Sequence, residues 1–194
     1  FNPNIATGVG ADDTSDAYSV TINTRAFNAA GDTNFLNKGT VTLGNEAADV
    51  LTFTGGLATT GNTSNPATVN AAGTINTTDT RMDIGAVTLT AATTFDTGNA
   101  AAGILNIGAV TSQTNALTLD SGSTALATMG LTSMVDASGG LTIRDSGGLA
   151  TIGDIGSGTA GAVTITDSTG GVTFNANVDS TTFTIAKALD AAVI

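Results

Sequence analysis

Three carboxylates fall within five residues in the run Asp12-Asp13-Thr14-Ser15-Asp16. Calcium takes oxygen ligands from loops of this sort, so Asp12, Asp13 and Asp16 form the candidate metal site, and calcium is the one cofactor the sequence points to. A complete EF-hand or a Gly-Gly-x-Gly-x-Asp nonapeptide is missing, and a solvated turn accounts for the same residues. The chain has no His and no Cys. That removes the usual general base near neutral pH, thiol nucleophiles and the commonest zinc ligands.

Cleavage of polysaccharide is the second chemistry to weigh. Glycosidases need two carboxylates at a set separation, and with sixteen acids some pair will lie close by chance. Only Arg25, Lys38, Arg81, Arg144 and Lys187 can act as a basic partner, and one Tyr with no Trp leaves little for a sugar to stack on. The expectation is a protein that is not an enzyme, with a polysaccharide-binding or polysaccharide-cleaving β-helix as the alternative. Thr-x-Thr triplets at 40/42, 52/54, 88/90, 164/166 and 182/184 raise ice binding as a minor alternative. Ice recognition needs such residues in strict register, which their variable spacing argues against, and Thr is in any case a good strand residue for a wet face.

The net charge of −11 repels nucleic acid and anionic lipid. No stretch approaches the roughly 18 to 20 apolar residues of a membrane helix, so neither nucleic-acid binding nor membrane insertion is expected. The first residue is Phe and the last residues, Ala191-Ala192-Val193-Ile194, are apolar, which points to a chain processed or cut from something longer.

These residues must be carried by strands. The hydrophobic content is 41%, with seven Phe and no Trp, so the core must be built from small aliphatic side chains and be thin. An apolar-Thr-apolar signature recurs at Val20-Thr21-Ile22, Val41-Thr42-Leu43, Leu51-Thr52-Phe53, Val87-Thr88-Leu89, Leu117-Thr118-Leu119, Leu141-Thr142-Ile143, Val163-Thr164-Ile165 and Phe183-Thr184-Ile185. Alternation of period two turns the apolar pair inward and Thr outward. Its last four occurrences, beginning at Leu117, Leu141, Val163 and Phe183, are almost evenly spaced, and Ile84-Gly85-Ala86-Val87-Thr88 returns at a similar distance as Ile107-Gly108-Ala109-Val110-Thr111. Repeats of this length mark stacked units that bury their apolar faces only against neighbours.

Asp120-Ser121-Gly122, Asp136-Ala137-Ser138-Gly139-Gly140, Asp145-Ser146-Gly147-Gly148 and Asp167-Ser168-Thr169-Gly170-Gly171 read as corners, because Asp bonds backbone two residues on and Gly accepts positive φ. Residues 163–185 read as strand, turn, strand, turn, strand, as one coil of a three-sided stack would. The expected fold is all-β, a parallel β-helix or β-solenoid of loosely repeated coils of about 20–25 residues, with a β-sandwich as the alternative. Coils of about 20 residues would make roughly nine rungs at 4.8 Å each. Residues 1–40 fit the pattern least and read as an irregular lead-in or a divergent first coil before a 41–194 solenoid. Over 185–189 periodicity does not separate strand from short helix.

Over roughly residues 41–185 these strands, the Asp-Ser-Gly-Gly corners and the Cys-free, Gly/Ala/Thr/Asn-rich composition resemble the β-strand-repeat regions of bacterial surface proteins: autotransporter passengers, filamentous-haemagglutinin-type adhesins and extracellular fibre subunits. The resemblance implies a right-handed parallel β-helix displayed outside the cell as stalk, adhesin or fibre. It implies a secreted or cell-surface location, and as partners copies of the chain itself or flanking repeats, with a host or surface ligand unnamed.

Overall fold

A computed structural model describes residues 4–5, 17–61 and 64–187. Alternating side chains set the local structure: within β5 (Thr40–Leu43) and β12 (Leu117–Asp120) the apolar residues are buried and the intervening Thr is half-exposed. A strand with one apolar side must cover it, and here each strand does so by bending at a corner so that the chain coils around a shared interior. All strand pairings among the described residues are parallel. The result is a β-solenoid of about seven turns. Parallel pairing excludes the sandwich, whose hairpins pair antiparallel.

Three faces run along the stack. The first begins with β2 (Val20–Ile22), continues through β5 and the start of β8 (Thr68–Thr77), and has the interior column Val20, Val41, Val69, Val87, Val110, Met134 and Ile155. The second runs from β3 (Ala26–Ala29) and β6 (Val50–Phe53) through β12, β14 (Leu141–Asp145) and β16 (Gly161–Ile165) to β18 (Ser180–Ile185), with Phe27, Leu51, Ile75, Phe95, Leu119, Ile143 and Ile165 inside and Ile185 exposed on the last rung of that column. The third includes β1 (Asn4–Ile5), β4 (Thr33–Phe35), β7 (Leu57–Ala58), β9 (Met82–Ile84) and β17 (Val172–Phe174). The long strands β10 (Val87–Asp96), β11 (Leu105–Thr111), β13 (Met129–Val135) and β15 (Ala150–Ser157) each turn a corner and serve two faces. One continuous aliphatic core, with Phe35, Phe53 and Phe95 fully buried, fills the centre.

The irregular spacing of the strand signature has a simple cause. Val20, Val41 and Val87 lie on the first face, whereas Leu51, Leu117, Leu141, Val163 and Phe183 lie on the second. Only intervals within one face measure a coil. Corners absorb the rest: the turn from Val41 to Val69 takes half as much chain again as the turn from Val69 to Val87. Coils mostly longer than the expected length of about 20 residues explain why the turns number about seven, not nine. Val163 and Phe183 pair in adjacent rungs, so residues 163–185 complete one turn and return to the starting face. Within 1–40, β2, β3 and β4 pair in register with β5, β6 and β7 and form a coil of the stack.

Close approach of successive corners explains two glycines. Gly108 sits directly over Gly85, and a Cβ on it would meet the Gly85 carbonyl carbon at 2.7 Å, which accounts for the repeated Ile-Gly-Ala-Val-Thr. Gly122 has φ +74° and packs against the Gly98 carbonyl, a backbone conformation side chains resist.

Candidate functional site: an acidic ladder at one corner

Where the second face turns into the third, five successive coils carry an Asp or Asn followed by Ser or Thr: Asn76-Thr77, Asp96-Thr97, Asp120-Ser121, Asp145-Ser146 and Asp167-Ser168. Asn76 pairs with Asp96, Asp96 with Asp120 and Asp120 with Asp145. The expected corner chemistry is present: Asp120 Oδ1 accepts from Gly122 N–H at 2.8 Å, and Asp96 Oδ1 from Gly98 N–H at 2.9 Å. Asp136, read as the same kind of corner, stands elsewhere. It follows β13 on the first face, at φ +53°, and leads into a single 3-10 turn at Ala137–Gly139.

The hydroxyls beside these acids point inward and are buried. Thr97 Oγ1 donates to Gly103 O at 2.5 Å, Ser121 Oγ to Ala127 O at 3.0 Å, Ser146 Oγ to Gly148 O at 2.7 Å and Ser168 Oγ to Gly171 O at 3.1 Å. Each ties one end of its corner to the other. This satisfies a carbonyl that the bend takes out of the ladder, a group that is costly to bury unpaired.

Outside this column the carboxylates stack, and two bases answer them. Asp120 pairs with Asp145, not with Arg144, because the register slips between Leu119 and Asp120. Arg144 is thus the bulged extra residue of β14, and bulges re-aim side chains. Its Nη2 donates to Asp96 Oδ2 at 2.6 Å and its Nε to Asp120 Oδ2, so one guanidinium clamps two coils. Burial works against its charge, but Asp120 and Asp96 more than offset that and raise its pKa. At the next rung Lys187 Nζ donates to Asp167 Oδ2. Asp145 lies between these clamps. Burial, then the charges of Asp120 and Asp167, push its carboxyl above the usual range, with Lys187 and the Ser146 N–H pulling less strongly the other way. Its Oδ1 is buried without a hydrogen-bond partner.

Threonines form a second feature. Thr74, Thr94, Thr118, Thr142, Thr164 and Thr184 occupy one outward column of the second face, one per coil. Register is therefore strict, contrary to what the spacing of the triplets indicated. The triplets themselves are offset, since Thr164 stacks on Thr184 while Thr182 stacks on Ala162. The column beside this one holds Asn76, Asp96 and Asp120, so a flat two-column Thr array does not form. On the third face a shallow depression of about 350 Å³ opens over Gly130, between Asn106 and Thr151, with Gly153 and Asn175 at its edge.

Asp12, Asp13 and Asp16 lie outside the described residues. Among the described residues no group of three or more acids is arranged to hold a metal ion, and no helix is long and apolar enough to cross a membrane. No protein-family model, curated protein or solved structure matches the chain. Asp120, Asp145 and Asp167 are legible in the sequence as Asp-Ser corners, but Asp96, written Asp96-Thr97-Gly98, is not, and neither are the clamping roles of Arg144 and Lys187.

Proposed function

We propose that the chain is a non-catalytic structural segment of an extracellular, bacterial-type surface protein, serving as adhesin stalk, fibre or surface-layer element. The observation that carries this reading is the single parallel ladder running from β1 to β18 around one core. In such a stack the backbone hydrogen bonds lie along the long axis, so reach grows by one strand spacing per coil and the segment acts as a stiff spacer. The acidic outer surface favours solubility and keeps like rods apart sideways. Corners closed by buried hydroxyls leave little slack for a protease, which must first open a chain locally.

Cell-surface display tests the reading. Antibody raised against the chain should label intact cells of the source organism, and external protease should remove the label; labelling only after lysis would overturn it. Duplicating residues 41–185 within the native protein should lengthen the projection seen by electron microscopy.

A second reading, recognition of polysaccharide, draws support from the depression lined by Asn106, Thr151 and Asn175, whose amides and hydroxyl match sugar hydroxyls. Binding on a glycan array that Gly130→Trp abolishes would favour it.

A further inference from the structure

Gly130 stands in mid-strand on the third face, between the buried Met129 and Leu131. A glycine inside a strand weakens it and marks a bulge, a close backbone approach or the approach of a ligand. Gly130 is not at a bulge, since it pairs in register with Asn106 on one side and Thr151 on the other. Its φ lies outside the left-handed region. No backbone crowds it either: among the described residues a Cβ built there would meet only Asn106 Oδ1, at 3.2 Å, with nothing else within 4 Å. Gly153 in the next coil differs, because its Cβ would strike the Thr132 carbonyl oxygen. A ligand is the explanation left for Gly130, and we propose that the depression over it binds a neutral polysaccharide laid lengthwise along the stack. The proposal rests on the polysaccharide reading and assigns its ligand class, direction and anchor.

The anchor is held in place by its own neighbours. Arg81 Nε donates to Asp83 Oδ2 at 2.5 Å, and Asn106 Nδ2 donates to Asp83 Oδ1 at 2.8 Å. With its nitrogen committed, Asn106 presents Oδ1 over the bare Gly130 backbone as an acceptor. It is ordered before a ligand arrives, which lowers the cost of binding. Thr151 follows on the far side of Gly130, and Asn175 stands at the edge one coil further on. The step from Asn106 to Asn175 covers three strand spacings, about 14 Å. An extended chain of pyranose rings repeats at nearly the coil interval, so successive sugars meet successive coils.

The ligand class follows from what the depression offers. β13 is already paired with β11 and β15, so no strand edge is open for a peptide to extend, and recognition falls to side chains. Amides and hydroxyls supply both donors and acceptors, as sugar hydroxyls require. No charged side chain lines the depression, and Asp83 beside it is paired with Arg81. The net charge of −11 repels a polymer of uronic acids. A neutral glycan meets all of these conditions.

Affinity electrophoresis of the full 194-residue chain tests it, in gels holding β-glucan, xylan or galactomannan as neutral polymers and alginate as an acidic one. At least one neutral polymer should retard the chain, and alginate should not. Gly130→Val fills the floor with a residue that favours strands, so it should leave the melting temperature no lower while weakening binding at least about tenfold, some 1.4 kcal/mol. Asn106→Ala should weaken it as much, and Asp83→Ala, which only frees the Asn106 amide, less. If Gly130→Val fails to fold, Thr151→Val takes its place. By calorimetry, affinity for oligomers of the polymer that binds should rise with length up to about three sugars. Retardation by a neutral polymer that neither Gly130→Val nor Asn106→Ala reduces overturns the site, and retardation by alginate alone overturns the class; in both cases polysaccharide recognition itself still stands. Affinity that levels off at a single sugar overturns the lengthwise placement. Retardation by none of the polymers overturns the site and the polysaccharide reading together.

Discussion

Arg144 Nη2 stands 2.6 Å from Asp96 Oδ2 although 48 residues separate them in sequence. The same guanidinium reaches Asp120 in the intervening coil, so one side chain crosses three rungs of the ladder. Arg144→Ala should lower stability by about 1 kcal/mol, the upper range for exposed pairs, because here two carboxylates lose their counter-charge together. Urea unfolding measures it. A double-mutant cycle with Asp96→Asn should give a coupling energy above zero; additive effects would show that the clamp is not formed in solution.

Asp145 should make stability rise on acidification. Its folded-state pKa lies above the unfolded value, so the folded protein holds that proton more tightly. The penalty is fully present above the raised folded pKa and disappears as pH falls through it towards the ordinary carboxylate range. Asp145→Asn should therefore stabilise the protein near neutral pH by up to about 1 kcal/mol, the scale of like charges a rung apart. Melting temperatures of variant and wild type should converge as the pH is lowered through that window. A constant difference across pH would rule the mechanism out.

The buried hydroxyl column should matter more than the exposed acids. Thr97→Val keeps shape but removes the donor to the Gly103 carbonyl, leaving that oxygen unpaired in the corner at a cost of about 1–3 kcal/mol. Denaturant midpoints compare it with Thr118→Val on the outward column, which should change stability by under about 0.5 kcal/mol.

Gly122→Ala should be among the most damaging single changes at the corners. Its φ of +74° and the Asn99 Oδ1 atom, 2.6 Å from where the added methyl would sit, combine backbone strain of about 1–2 kcal/mol with a steric clash. Gly61→Ala, at φ +78° with nothing within 4 Å, isolates the strain alone and should cost less. Equal losses at the two sites would mean that coil-to-coil packing adds nothing.

A single line of sequence was enough to determine the strand type, the all-β stacked fold and the chemistry of the corners. Those signals are local: the alternation of Val163-Thr164-Ile165 needs only adjacent residues, and the turn of Asp120 needs the glycine two positions on. Which strands share a face was decided only by tertiary structure, because that depends on corner length, and corners take up insertions that leave the strands unchanged. Val41 and Leu51 look like successive repeats yet face different sheets, whereas Leu117 and Leu141 are true neighbours. The same holds for the charges. Asp120, Asp145 and Asp167 were legible as turn residues, but their joining into one ladder, the addition of Asp96, and the aim of Arg144 across it follow from coil register and from a one-residue slip beside Leu119. A slip of that size leaves no trace in composition or period, and it is enough to swing a side chain from one column to the next.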